Sequence, residues 1–332
     1  MDNPTVVFPE PRTVTVQDRE RPDPAAHEVL IETDASLVST GTELTVLSGE
    51  FPGGSAWDEY ADYPVIPGYS NVGTVREAGA DADVETGTRV ATWSPHAAYV
   101  TAAADECVRV PDGVSDEQAS LFAVAQIVMN GVRKSGLDWG ESAVVYGLGI
   151  LGQLTVRFAR IAGAETVLGI DLAKERVAYL PDEPGIVGVD PTASDPVAAV
   201  SDVTGGRLAD VVFEVTGNPD AIPDEFAVLR DQGRLVLLSS PHGETTLDFH
   251  DSVNAPSTRI IGAHQLSHPD AATAADPWTK ARHAALYFAY LRQGRLRVED
   301  LFSHVCPAGD APGAYESLLA DRTDAMGVRL EW

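Results

Sequence analysis

Up to residue 118 the apolar positions come in short runs or alternate with polar ones. Val6, Val7 and Phe8, then Arg12–Val16 and Glu28–Thr33, are rich in β-branched residues at the period of two expected of half-buried strands. Further strands are expected over Gly68–Arg76, Gly87–Thr92 and Ala97–Thr101, separated by short acidic turns. Pro22–Pro24, Pro52–Gly54 and Pro64–Pro67 punctuate the same stretch as turns and loops. The pattern predicts a small, strongly bent sheet. Ser115, with Gln118 three residues on, is a capping start for an apolar helix over Ala119–Gly131.

From Ala143 to about Ala263 the period changes to alternating strands and helices. Strands are expected at Ser142–Tyr146, Thr166–Ile170, Gly185–Val189, Ala209–Glu214, Gly233–Ser239 and Arg259–Gly262. Helices over Gln153–Ala162, Lys174–Leu180, Pro196–Val203 and Pro219–Arg230 lie between them. Six strands with intervening helices predict an α/β doubly wound parallel sheet. A long helix over Pro277–Gln293, a strand-containing return over Arg297–Val305 and a helix over Asp310–Leu319 follow. Val328–Glu331 reads as a last strand that rejoins the N-terminal sheet. The expected domains are therefore 1–118 with 265–332, and 119–264.

The junction after the first strand of the second domain carries the chemistry. Gly147, Leu148, Gly149, Ile150, Leu151 and Gly152 form a G-x-G-x-x-G turn leading into a helix. The first glycine permits the tight turn, the second lets backbone N–H groups approach a pyrophosphate, and the third lets helix and strand pack closely. The helix N-terminus adds unpaired donors and a partial positive charge. Asp171 ends the next strand, where a carboxylate accepts hydrogen bonds from ribose hydroxyls and repels a 2′-phosphate. Together these predict NAD as the cofactor, with NADP possible because Lys174 and Arg176 stand close by.

Composition alters the picture of the surface. Fifty acids face 23 bases, a formal charge of −27, and only Lys134, Lys174 and Lys280 are lysines. The acids are spread along the whole chain, so the charge belongs to a folded surface that repels nucleic acid and anionic lipid. Its self-repulsion needs concentrated salt for screening, which points to a halophile. Cys107 and Cys306 lack partner motifs and read as buried apolar residues, forming neither a disulfide framework nor a thiolate zinc site. No run reaches the 18 or so apolar residues of a membrane span, and the start of the chain has no signal-peptide pattern. A cytoplasmic protein is expected.

The order of motifs resembles the medium-chain dehydrogenase/reductase superfamily over essentially the whole chain. Pro64–Gly68 with Gly73–Val75, the Gly147–Gly152 turn and Phe213–Gly217 carry the resemblance. More narrowly, Ser39–Glu43, Pro67–Asn71, Pro95–Tyr99 and Asn130–Arg133 resemble the subgroup that includes bacteriochlorophyllide a dehydrogenase. The resemblance implies a GroES-like β-rich catalytic domain beside a Rossmann domain, and a homodimer with Arg259–Gly262 as the candidate pairing edge. It also implies where zinc ligands would stand. Their places are taken by Ser39 and Thr40, by Tyr69 with Ser70 behind it, and by Phe122; the four-cysteine lobe is missing from Arg89–Ala98. Catalytic zinc needs three protein ligands and an open position, so no metal site is expected. Glu43 and His96 are the two residues left for a makeshift site, but such a pair in a β-rich domain reads more readily as a surface acid and a loop histidine.

Hydride transfer without a Lewis acid needs a hydrogen-bond donor or proton relay at the substrate oxygen. Tyr69 is the first candidate and His96 the second; Thr42 and Glu43 are expected to line the same pocket, though Thr40–Leu47 also reads as a capped helix. The resemblance places Gln126 near the nicotinamide amide. Thr216, Gly217 and Ser239, at strand ends, belong to the cofactor crevice, and His264 and Gln265 border the substrate pocket. The reading is a zinc-independent, NAD-dependent oxidoreductase acting on an alcohol or carbonyl of a small organic substrate. The rivals are an NADPH-dependent quinone or enone reductase and a non-catalytic cofactor-binding protein.

Overall fold

A computed structural model describes residues 2–332. The chain divides into two compact units. One runs to Val124 and resumes over Ala281–Trp332; the other is Ala125–Lys280. The crossing points come later than the expected 118 and 264.

The first unit begins with β1 (Asp2–Val7) paired antiparallel to β2 (Thr15–Glu20). The expected strand Arg12–Val16 is displaced towards the C-terminus, because Arg12 takes φ 59° in the turn and its N–H donates to Leu47 O at 2.6 Å. Next come β3 (Glu28–Val38), α1 (Thr42–Ser48), α2 (Ala56–Tyr60), β4 (Asn71–Ala78), β5 (Arg89–Thr92), β6 (Tyr99–Ala103) and β7 (Val108–Arg109). The eleven residues of β3 are the spine: β4 and β6 both pair with it antiparallel. Its register with β4 shifts at two bulges, which bend the sheet. The Ser115 capping box forms as predicted, but on a short helix, α3 (Asp116–Ser120), that ends before α4 (Phe122–Ser135) begins. The single expected helix Ala119–Gly131 is thus two pieces.

The second unit takes over within α4. It contains β8 (Ser142–Tyr146), α5 (Ile150–Ala162), β9 (Thr166–Ile170), α6 (Lys174–Val177), β10 (Ile186–Val189), α7 (Pro196–Thr204), β11 (Ala209–Glu214), α8 (Ile222–Ala227), β12 (Leu229–Leu237) and β13 (Arg259–Gly262). All six strands are parallel, in the order β10-β9-β8-β11-β12-β13. This is the doubly wound arrangement that the alternation of strands and helices predicts. The helix expected over Pro219–Arg230 is shorter, because Leu229 already belongs to β12 and pairs with Ala209. Val144, Leu168, Val212 and Leu235 form the layer of the core between the strands, each fully out of contact with water.

The chain then returns to the first unit through α9 (Lys280–Arg292), β14 (Phe302–Pro307), α10 (Ala311–Ala320) and β15 (Gly327–Glu331). β15 does rejoin the N-terminal sheet, pairing antiparallel with β3 and parallel with β14. Seven strands make up that mixed sheet. Cys107 and Cys306 are free thiols and half-buried, less enclosed than expected. Among the described residues no helix is long and apolar enough to cross a membrane.

Candidate active site

In the second unit, the glycine turn has the backbone its sequence requires. Gly147 sits at φ 89°, and a Cβ there would lie 2.9 Å from Thr216 N. A Cβ on Gly152 would meet Gly147 O at 1.8 Å, so helix α5 can approach β8 only with glycine at that position. Gly149 is different: a side chain there would meet nothing within 4 Å, so this stretch of backbone faces open space. It is also the N-cap of α5, and no side chain caps it. Open space against an uncapped helix N-terminus suits a pyrophosphate.

Asp171 is bound to this turn. Its carboxylate accepts from Leu148 N at 2.7 Å and from Ala173 N at 2.8 Å, and Arg176 Nη1 lies 3.7 Å away. The acid predicted for a ribose therefore also braces the phosphate loop. Gln126 is fully buried, and neither its amide oxygen nor its amide nitrogen has a hydrogen-bond partner. Such a group is costly unless a ligand satisfies it, which fits the nicotinamide amide expected there.

Thr216, Gly217 and Ser239 are brought together by a residue that the sequence did not single out. Glu214, at the end of β11 and completely buried, accepts from Thr216 N and Thr216 Oγ1 at 2.7 Å and from Gly217 N at 2.9 Å; Ser239 Oγ donates to it too. Its only sequence signal was an acid closing the apolar run Val211–Phe213. A second buried acid, Glu225 on α8, has no partner for either oxygen. Burial, then the charges of Glu214 and Asp224, push its pKa up to about 9. His264 caps the short turn Gln265–Ser267 through Leu266 N at 3.3 Å.

In the first unit the polar candidates cluster at the end of β3. The Tyr69 hydroxyl donates to Ser39 Oγ at 2.6 Å, with the Thr42 hydroxyl beside it. Tyr69 as a whole is half-buried, with its hydroxyl against Ser39 and Thr42. Burial, opposed by the Ser39 and Thr42 hydrogen bonds, raises its pKa to about 12, so it remains a neutral donor at any physiological pH.

Glu43 and His96 are neither a surface acid nor an ordinary loop histidine. They are 3% and 0% exposed, and His96 Nε2 lies 3.1 Å from Glu43 Oε2. Glu43 also accepts from Ser39 N at 2.7 Å and from the Tyr315 hydroxyl. His96 Nδ1 is 2.8 Å from Ser36 Oγ, which accepts from Trp332 Nε1 at 2.9 Å. Ser36, Tyr315 and Trp332 were not anticipated.

The donor set at the positions associated with zinc is poor. It consists of hydroxyls, the Tyr69 phenol and the fully buried phenyl ring of Phe122, which packs edge-on against Trp93 at 5.0 Å. Among the described residues no group of three or more His, Cys, Asp or Glu side chains is placed to hold a metal. These residues do not fit a catalytic zinc, which favours Cys, His and carboxylate ligands.

Comparison with known proteins agrees with this geometry at the level of fold. Residues 151–280 match the zinc-binding dehydrogenase family. That segment lies entirely in the second unit, away from the positions associated with zinc. D-guloside 3-dehydrogenase of Escherichia coli (strain K12) is 27% identical over 250 residues, spanning 74% of this chain and 71% of the relative. The 2-desacetyl-2-hydroxyethyl bacteriochlorophyllide A dehydrogenase of Cereibacter sphaeroides is 24% identical over 100% of this chain and 99% of its own. Galactitol-1-phosphate dehydrogenase from Escherichia coli superposes with a TM-score of 0.85 at 16% identity, covering 100% of both chains. A zinc-binding dehydrogenase structure from Sinorhizobium meliloti 1021, with NADP bound, gives 0.81 at 20% identity, again over 100% of both. These relatives are dehydrogenases, and the chain shares their fold.

Proposed function

We propose that the protein is a zinc-independent, NAD-dependent oxidoreductase that interconverts a secondary alcohol and a carbonyl on a small organic substrate. The observation that carries the reading is the open Gly149 backbone at the head of α5, braced by Asp171. The turn and helix head hold the pyrophosphate, and Asp171 takes the ribose hydroxyls and disfavours a 2′-phosphate. Gln126 meets the nicotinamide amide. The cofactor, when bound, takes up or gives a hydride. On the substrate side, Tyr69 turns its one hydroxyl proton from Ser39 Oγ to the reacting oxygen, and Ser39 and Thr42 orient the phenol. A phenol held neutral by burial stabilises developing negative charge, and the proton that alcohol oxidation releases or carbonyl reduction consumes is exchanged with solvent water.

An NADPH-dependent quinone or enone reductase is the second reading, favoured by Arg176 standing 3.7 Å from Asp171, where it offsets the acid's charge. Oxidation of a secondary-alcohol panel with NAD, set against reduction of quinones with NADPH, separates the two. Turnover of an alcohol with NAD that survives exhaustive chelation, and that Tyr69→Phe abolishes, supports the first reading; loss of activity with the metal, or full activity of Tyr69→Phe, refutes it. Two further features belong to this proposal. The acid excess suits a salt-rich environment, and the chain forms a homodimer through the edge of β13, where Arg259, Ile260 and Gly262 are exposed.

A further inference from the structure

The polar groups behind Tyr69 form a closed circuit. Gly68, at φ 101°, lies so close to His96 that a Cβ would stand 2.7 Å from its Cδ2. The His96 backbone N–H donates to Pro67 O at 2.9 Å, so the histidine supports the segment leading into Tyr69 through both ring and main chain. From His96 the circuit runs to Glu43 at 3.1 Å, from Glu43 to Ser39 N at 2.7 Å, and from Ser39 Oγ back to the Tyr69 hydroxyl at 2.6 Å. Glu43 N also donates to Ser39 O at 2.9 Å, so Ser39 is held from both sides.

Donor arithmetic fixes the direction of each bond. Trp332 Nε1 can only donate, so Ser36 Oγ accepts from it; Glu43, as a carboxylate, can only accept, so His96 Nε2 donates to it, and Nδ1 of a neutral ring then accepts the Ser36 proton. His96 then carries its proton on Nε2 and gives it to Glu43. Glu43 receives three donors, His96, Tyr315 and Ser39 N, as a carboxylate does. Every group is satisfied with a neutral imidazole. Ser36, His96 and Glu43 thus have the connectivity of a hydrolytic triad. Ser36, however, is 0% exposed and its hydroxyl is occupied by Trp332, so no substrate reaches it.

We infer that Glu43 and His96 are positioning residues, which aim the Tyr69 phenol through Ser39 and Gly68 and exchange no proton with substrate. The inference rests on Tyr69 being the donor of the proposed reaction. Fixing a donor to within a fraction of an ångström separates a productive hydrogen bond from an idle one.

Nitrogen-15 histidine labelling reads the tautomer directly: His96, identified by the signal lost in His96→Gln, should show the neutral Nε2–H pattern. Carbon-13 labelling at tyrosine Cζ reads the phenol: the signal lost in Tyr69→Phe should move in Glu43→Gln, His96→Gln and Ser39→Ala. Ser39→Ala leaves the Glu43 bonds intact, so it keeps the test alive should the buried substitutions fail to fold. With the alcohol that turns over fastest, Ser39→Ala and His96→Gln should each lower kcat about tenfold while KM stays within about twofold. A doubly protonated His96, or a Tyr69 signal unmoved in the folded variants, overturns the inference. An active Tyr69→Phe enzyme instead overturns the proposed donor and leaves the two spectra to decide the positioning.

Discussion

Replacing Glu225 by glutamine tests whether a buried, unpaired carboxyl in the second unit opposes folding. In the folded chain Glu225 keeps its proton up to about pH 9, against 4.5 for the free side chain. Between those values the unfolded chain binds fewer protons than the folded one, so stability falls as pH rises. One unit of pKa shift corresponds to about 1.4 kcal/mol, so the penalty is about 3 kcal/mol at pH 7 and about 5 kcal/mol at pH 8.5. These are upper values, since water entry near the carboxylate relieves part of the charge. The glutamine side chain carries no proton to lose. Its buried amide adds a pH-independent cost of about 1–3 kcal/mol, so the diagnostic is the slope and not the offset. Urea unfolding followed by tryptophan fluorescence, in one concentrated salt, should show the variant gaining on the wild type by about 1.4 kcal/mol per pH unit between about 5.5 and 8.5. Parallel stability curves across that range would refute the reasoning, because Glu225 would then have found a partner or water for its charge.

Three further outcomes follow from the same structure. Gly152→Ala, whose methyl would strike Gly147 O, should weaken NADH binding at least tenfold and lower Tm, as read by NADH fluorescence and a thermal melt. Asp171→Ser removes the carboxylate proposed to take the ribose hydroxyls and disfavour a 2′-phosphate; at about 1.5–3 kcal/mol for a hydrogen bond to a charged group, the NAD over NADP preference in kcat/KM should fall by one to two orders of magnitude. Lowering salt from about 2 M to about 0.1 M lengthens the screening distance from under 3 Å to about 10 Å, so a chain of charge −27 should lose Tm steadily; an unchanged Tm would end the halophile reading.

Local features were legible in the sequence because neighbours in the chain produce them. Ser115 and Gln118 form their capping box three residues apart, and the Gly147–Gly152 turn needs only its own backbone and the adjoining strand. The parallel sheet was legible because its central strands, β8 and β9, are nearly continuous apolar runs and helices alternate with the strands. Boundaries were less so. Residues 229 and 230 fit a helical period, but strand pairing of Leu229 with Ala209 decides the matter. Glu43 and His96 were misread because their partners are remote: Tyr315 is 272 positions from Glu43, and Trp332 is 296 from Ser36. No local pattern announces such a network. A buried acid has the same letter as a solvated one, and in a chain with 50 of them the exceptions are hidden.

Those exceptions share a principle. Asp171, Glu214 and Glu43 are each placed where a strand gives way to a loop or a short helix, and each takes backbone N–H groups of that segment: Leu148 and Ala173, Thr216 and Gly217, Ser39. A loop that must leave its backbone open for a ligand cannot satisfy itself through a sheet ladder. A carboxylate, with two oxygens and no donor, fixes several such N–H groups at once and remains rigid. Glu225 is the counter-case, an acid as buried as Glu214 but with no N–H to hold. The difference separates the two kinds of acid by function. Removing a loop-bracing carboxylate should loosen a binding segment, whereas replacing Glu225 by glutamine should remove the loss of stability with rising pH. If Glu214→Gln left cofactor affinity unchanged while Glu225→Gln weakened it, the roles would be reversed and the bracing argument would fail.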